Sequence, residues 1–209
     1  MIVKSIFTKN PATGWLGYIT YHSMKSEFLD GRYRGLFNQL GKRATANEIR
    51  SMVDLSEVSG ITRMIIFAPA RWIPPQYLSE YTVKTMWEYI QKDARHSIRF
   101  MYSLHYNTDH PHSHVVMTAY YTEDVLMRTR EIVLIKDIAK QIFNEPIGVP
   151  KKIIERAKGN KEKEERLEVI IRKTNWIESM IEKEEKEIRK FKGVKSVDDV
   201  IKMNEGLGL

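Results

Sequence analysis

Two β-rich runs, residues 97–106 and 113–121, are separated only by the short loop 107–111. A connection this short joins neighbouring antiparallel strands, because a parallel pair needs a crossover of roughly a dozen residues or more. The chain is thereby committed to a sheet with an antiparallel hairpin in it. Residues 61–67 form a third β-rich run, bounded by Gly60 on one side and by Pro69, Pro74 and Pro75 on the other, which reads as a buried strand. Residues 2–7 read as a first strand. Between these runs lie segments of helical periodicity: 15–24, 45–58, 77–94 and 129–143. Thr45 and Glu48 are spaced as a capping box ahead of Ile49, Met52, Val53 and Leu55. Residues 31–41, with three glycines, read as loop. The expected fold is two-layer α/β: a central antiparallel sheet of about four or five strands with helices on one face.

The hairpin also carries the chemistry. Four of the six histidines fall in residues 105–114, His-Tyr-Asn-Thr-Asp-His-Pro-His-Ser-His. Residues two apart on a strand share a face, so His112 and His114 present their rings side by side. His105 ends the preceding strand, and a hairpin returns it beside that pair. Three neutral imidazoles can hold one divalent ion and leave coordination positions open for a substrate oxygen. Spacing alone expresses no preference among metals. Asp109 is placed to accept an N–H from one of the rings, and His110 is expected outside the ligand set. An isolated His-x-His pair is commonplace; the third histidine at hairpin distance and the intervening aspartate set this one apart.

Residues 104–117, Leu-His-Tyr-Asn-Thr-Asp-His-Pro-His-Ser-His-Val-Val-Met, resemble the histidine motif of the HUH endonucleases, in the form carried by relaxases of mobilisation systems. Upstream, Gly-Tyr-Ile-Thr-Tyr-His-Ser at 17–23, followed by Asp30-Gly31 and Gly35-Leu36-Phe37, is similar to the N-terminal tyrosine motif of the same family. The likeness covers about the first 125 residues and does not reach the C-terminal third. It implies that His105, His112 and His114 bind magnesium or manganese. It implies that Tyr18 attacks a scissile phosphodiester of single-stranded DNA, leaving a 5′-phosphotyrosine and a free 3′-hydroxyl. A phenol is a poor nucleophile near neutral pH, so nearby positive charge or a base must favour the phenolate. Where the family often has a basic residue three positions after the nucleophile, this chain has Tyr21, which stands as a rival nucleophile. Asp109 and Glu80 are the carboxylates considered as general base.

Chain order bears on the choice within the superfamily. Replication initiators and transposases that use this site carry the tyrosine after the histidine motif, on a later helix. Here no tyrosine follows Tyr121, and Tyr120 and Tyr121 lie on or beside the histidine strand. The resemblance therefore implies a relaxase acting at an origin-type nick site, with accessory mobilisation proteins as partners. A rolling-circle replication initiator or transposase is the alternative, and a nucleic-acid-binding protein without cleavage is the alternative of another class.

Charge supports a polyanionic partner: the chain is +7 at neutral pH with a pI near 9.4. Arg32, Tyr33, Arg34, Lys42 and Arg43 make a basic and aromatic stretch suited to single strands, where cations meet phosphates and rings meet bases. Trp72 is a further candidate stacking residue. The chain has no cysteine, which excludes disulfides and thiolate metal sites. With no apolar run of bilayer length and no signal-like N-terminus, a cytoplasmic protein without a membrane segment is expected. Composition changes near residue 149, dividing the chain into residues 1–148, which the resemblance implies to be a relaxase-like nuclease domain, and a charged helical extension, 149–209. Between 151 and 193 there are fourteen Lys or Arg and ten Asp or Glu around one apolar stripe running from Leu167 to Phe191. That pattern reads as a long helix with a solvated face, or as an arm lying on DNA.

Overall fold

A computed structural model describes residues 2–8, 12–69, 72–93, 95–106, 110–144 and 193–206, with positions 179, 183, 186, 187 and 191. Four strands, β1 (Ile2–Thr8), β2 (Thr62–Ala68), β3 (Arg99–His105) and β4 (His112–Thr118), form one antiparallel sheet in the order β1-β2-β4-β3. The chain is α/β, as its alternation of runs requires. The predicted hairpin is the β3–β4 pair, with His105 opposite His112 and Ser103 opposite His114. β4 is an interior strand, flanked by β2 and β3, so its side chains sit at the middle of the sheet.

Helices cover both faces of this sheet, which corrects the expectation of helices on one face. Every residue of β2 and β4 is buried. On one face Ile65, Phe67, Val115 and Met117 meet α3 (Pro75–Lys92) and α5 (Thr129–Asn144). On the other, Met64, Ile66 and Val116 meet α1 (Thr13–Met24) and α2 (Ala46–Ser59). The physical reason lies in β2 itself: Met-Ile-Ile-Phe-Ala is apolar at consecutive positions, and a strand that is half-solvated alternates instead. A short helix, α4 (Thr122–Val125), follows β4. The capping box at α2 is formed: Thr45 accepts from the Glu48 N–H, and the Glu48 carboxylate accepts from the Thr45 N–H at 2.8 Å.

The last described helix, α6 (Val197–Asn204), belongs to the second core. Val200 and Ile201 are buried there, and the segment before α6 presses Val194 onto Gly17, where a Cβ would lie 2.5 Å from Val194 Cγ2. Asn204 locks the helix in place. Its Oδ1 accepts from Leu36 N–H at 2.7 Å, and its Nδ2 donates to Ala44 O at 2.9 Å. Most of the apolar stripe predicted between 167 and 191 lies outside the described residues. Among the described residues no helix is long and apolar enough to cross a membrane. Asn204→Ala leaves a buried N–H and a buried carbonyl unpaired, so urea unfolding is expected to show a loss of ~2–3 kcal/mol; an unchanged midpoint would refute the anchoring role.

Candidate metal and tyrosine site

His105, His112 and His114 all point to the face covered by α1, because they share the strand parity of Met101 and Val116. Each is buried, and one ligand atom from each lies within 4.8 Å of the others. Ring centroids are 4.2 Å apart for His105 and His114, 4.9 Å for His112 and His114, and 5.4 Å for His105 and His112. One nitrogen of each ring is held by the protein. His112 Nδ1 lies 2.9 Å from His110 O, His105 Nε2 lies 3.1 Å from Ile19 O, and His114 Nδ1 lies 3.4 Å from Met64 Sδ. A ring oriented through one nitrogen can ligate through the other. The donor chemistry fits a cation: three imidazoles clustered in an apolar layer are costly as separate polar groups and well matched to one shared ion. His110 contributes its carbonyl to orienting His112 and is not one of the three. Asp109 lies outside the described residues.

The same contact that orients His105 positions the N-terminal tyrosine. Ile19 O also accepts from Ser103 Oγ at 2.9 Å, so α1 is tied to β3 at this turn. Tyr18 is brought next to the histidines, its ring 6.4 Å from that of His114. It is 1% exposed, covered by Phe191, whose ring stands edge-on at 5.6 Å. Tyr21 is half-buried and faces outward along the helix. Lys25 Nζ donates to its hydroxyl, and the ammonium lies 4.1 Å from its ring centroid. Its ring neighbours are His22 and Phe191, not the three histidines. Tyr18 is therefore the tyrosine that the fold joins to the cluster.

Other tyrosines near the hairpin are chemically unsuited. Tyr106 follows His105 but points to the opposite face, where its hydroxyl donates to Ile73 O at 2.6 Å and burial pushes it well above the ordinary phenol range. Burial likewise pushes Tyr102 up to about 12, against a bond with Ser79. Glu80 sits on α3, on the face away from the histidines, so the structure does not bring it to the site.

Sequence reasoning missed His22. It lies one turn after Tyr18 on α1, its ring 4.4 Å from the Tyr18 ring and 6.0 Å from that of His105. The signal was the four-residue spacing from Tyr18, which puts both side chains on one helix face. The spacing acquires meaning only once that face is seen to meet the histidine strand.

The predicted DNA-binding stretch divides. Arg32 is exposed and pairs with Asp30 at 2.9 Å; the Arg32 backbone N–H, then its side chain, hold the Asp30 carboxyl below its usual range. Tyr33 is half-buried against the first core, and Lys42 is exposed. Arg34 donates to Leu29 O at 2.9 Å. Arg43 donates to Arg34 O at 3.0 Å and to Asn204 O through Nε at 3.1 Å. Arg34 and Arg43 thus brace the loop and the end of α6. Trp72 is exposed, its ring 6.4 Å from Tyr106. Comparison of the chain with family models, with curated proteins and with solved structures gives no match.

Proposed function

We propose that this chain is a metal-dependent single-strand DNA nickase and transesterase of the relaxase type. The observation that carries the reading is the convergence of three buried imidazoles with a phenol from the first helix, Tyr18 and His114 being 6.4 Å apart between ring centroids. A divalent ion held by His105, His112 and His114 would supply positive charge beside the attacked phosphate. Three imidazoles without a carboxylate favour a first-row transition ion over magnesium.

The residues' own tasks follow from their placement. Tyr18 Oη attacks phosphorus, the bond from phosphorus to the 3′ oxygen breaks, and that oxygen leaves as a 3′-hydroxyl after taking a proton. We assign the uptake of the phenol proton to His22, whose ring lies 4.4 Å from that of Tyr18 between centroids. Reversal of the same exchange reseals the strand, because the phosphotyrosine conserves the ester energy.

The test is incubation with labelled single-stranded oligonucleotides and manganese, followed by denaturing electrophoresis. A denaturation-resistant protein–DNA adduct supports the proposal, and its absence across a diverse oligonucleotide pool refutes it. A second reading, nucleic-acid binding without cleavage, is favoured by the cover that Phe191 places over Tyr18; binding without adduct would select it. In the same assay His22→Ala is expected to slow adduct formation by ~100-fold, in the range typical of a lost general base, without abolishing metal uptake. An unchanged rate would remove His22 from the mechanism.

A further inference from the structure

We propose that a cavity at the outer edge of β3, away from the histidines, binds bases of the single strand downstream or upstream of the nick. The choice of ligand rests on the nuclease reading; the choice of place rests on the following geometry. The cavity has a volume of about 640 Å³ and lies between α2, α3 and β3. That is within the range of small-ligand sites, roughly 300–1,000 Å³, and suits one or two nucleotides.

Its walls combine the two elements that grip single strands, rings and a cation. Trp87 and Tyr120 line it and are 36% and 63% exposed. Exposed aromatics flanking one cavity offer stacking surfaces that any base can use. The Trp87 ring is fixed: its Nε1 donates to Gln39 O at 2.9 Å, and it stands edge-on to Phe100 at 6.4 Å. A platform held in this way loses little freedom when a base settles on it. Arg99 lines the same cavity, its Nη1 donating to Ile98 O at 3.0 Å. The acid in the wall, Glu48, has its carboxylate turned to Thr45 and Asn38 by hydrogen bonds that hold it below its usual range. Glu48 stays ionised with its charge engaged by those donors, and Arg99 is the cation of the wall that can meet a phosphate.

The lining of the cavity continues along the β3 edge. Phe37 pairs antiparallel with Tyr102, so residues 33–40 run along the β3 edge with Tyr33 toward the histidine end and Leu40 toward Arg99. A second cavity, of about 530 Å³, shares Leu40 with the first and is lined by Tyr33 and by Ser79, Glu80, Val83 and Lys84 of α3, on the side of the sheet opposite the histidines. Rings thus recur along one strand edge, from Tyr33 to Trp87. Arg99 and His105 are six residues apart, about 20 Å of strand, so a base in the Trp87 cavity lies several nucleotides from the reacting phosphate.

The experiment measures binding and cleavage separately. Fluorescence anisotropy with a labelled mixed-sequence oligonucleotide, at several salt concentrations, is expected to show ~10-fold weaker binding for Trp87→Ala and for Tyr120→Ala. Trp87→Phe, which keeps a ring, should retain most of the affinity. In the adduct assay the alanine variants should raise KM on long oligonucleotides and leave kcat unchanged. On oligonucleotides trimmed to the nick and its immediate neighbours they should match the unchanged protein. Tyr120→Ala carries the test if Trp87→Ala does not fold, since that ring is largely outside the core. Alanine variants that bind as tightly as the unchanged protein overturn the cavity and leave the nuclease reading intact. Equal losses in Trp87→Phe and Trp87→Ala also overturn it. Failure of the unchanged protein to bind single strands at any salt overturns both.

Discussion

Tyr18→Phe is expected to eliminate the covalent adduct, with a loss of ~10³-fold or more in strand cleavage, while oligonucleotide binding survives. The substitution removes one oxygen and leaves the ring packed against His22 and Phe191, so the helix and its tie to β3 are retained. Tyr21→Phe is expected to form adduct at close to the unchanged rate, because Tyr21 addresses Lys25 rather than the histidines. Mass spectrometry of the trapped peptide gives the answer independently of rates. An adduct on residue 21, or an adduct that persists in Tyr18→Phe, would transfer the nucleophile's role and break the link between geometry and chemistry.

The second large effect concerns the cation. His114→Ala removes one of three ligands at an interior strand position and is expected to weaken manganese binding by at least ~100-fold, a loss as large as the greatest seen for partners one step removed from the metal. Titration calorimetry measures this without any substrate. The unchanged protein should also melt at a higher temperature with metal present: at a hundred times Kd the native state gains ~2.7 kcal/mol, and at the same metal concentration the variant should gain no more than ~0.4 kcal/mol. Ligation requires neutral imidazoles, so the stabilising effect of metal should fade on acidification in the unchanged protein. A variant that binds and is stabilised as before would mean that the three rings do not share an ion, and the proposed chemistry would lose its source of positive charge.

The hairpin was readable because loop length and strand parity are local properties. Knowing that residues 107–111 are few, and that His112 and His114 share a face, was enough to bring His105 back to them. The Thr45–Glu48 cap was legible for the same reason, being complete within four residues. What could not be read was decided by distant contacts. The continuous apolar run of β2 was visible, yet its consequence, cover on both faces, required knowing that α1 and α2 cross to the side opposite α3. His22 gained its place only when α1 was docked on β3. Arg43 looked like an outward cation until Asn204, far along the chain, presented a carbonyl to it. Phe191 was legible as the end of an apolar stripe, but nothing local showed that it and Val194 would lie over Tyr18 and Gly17.

Because α6 closes the second core, that core can be completed only late in synthesis. Residues 191–204 leave the ribosome after every other described element has been made. Until they emerge, the inner wall of α1 has no Val194, Val200 or Ile201 to lean on, and the phenol beside the histidines has no roof. A nascent chain stalled before that point would hold the strands and imidazoles but an unfinished seat for the first helix. The seat of α1 is thus completed only once residues 191–204 have been made, and a chain cut before residue 191 should leave Tyr18 open to solvent.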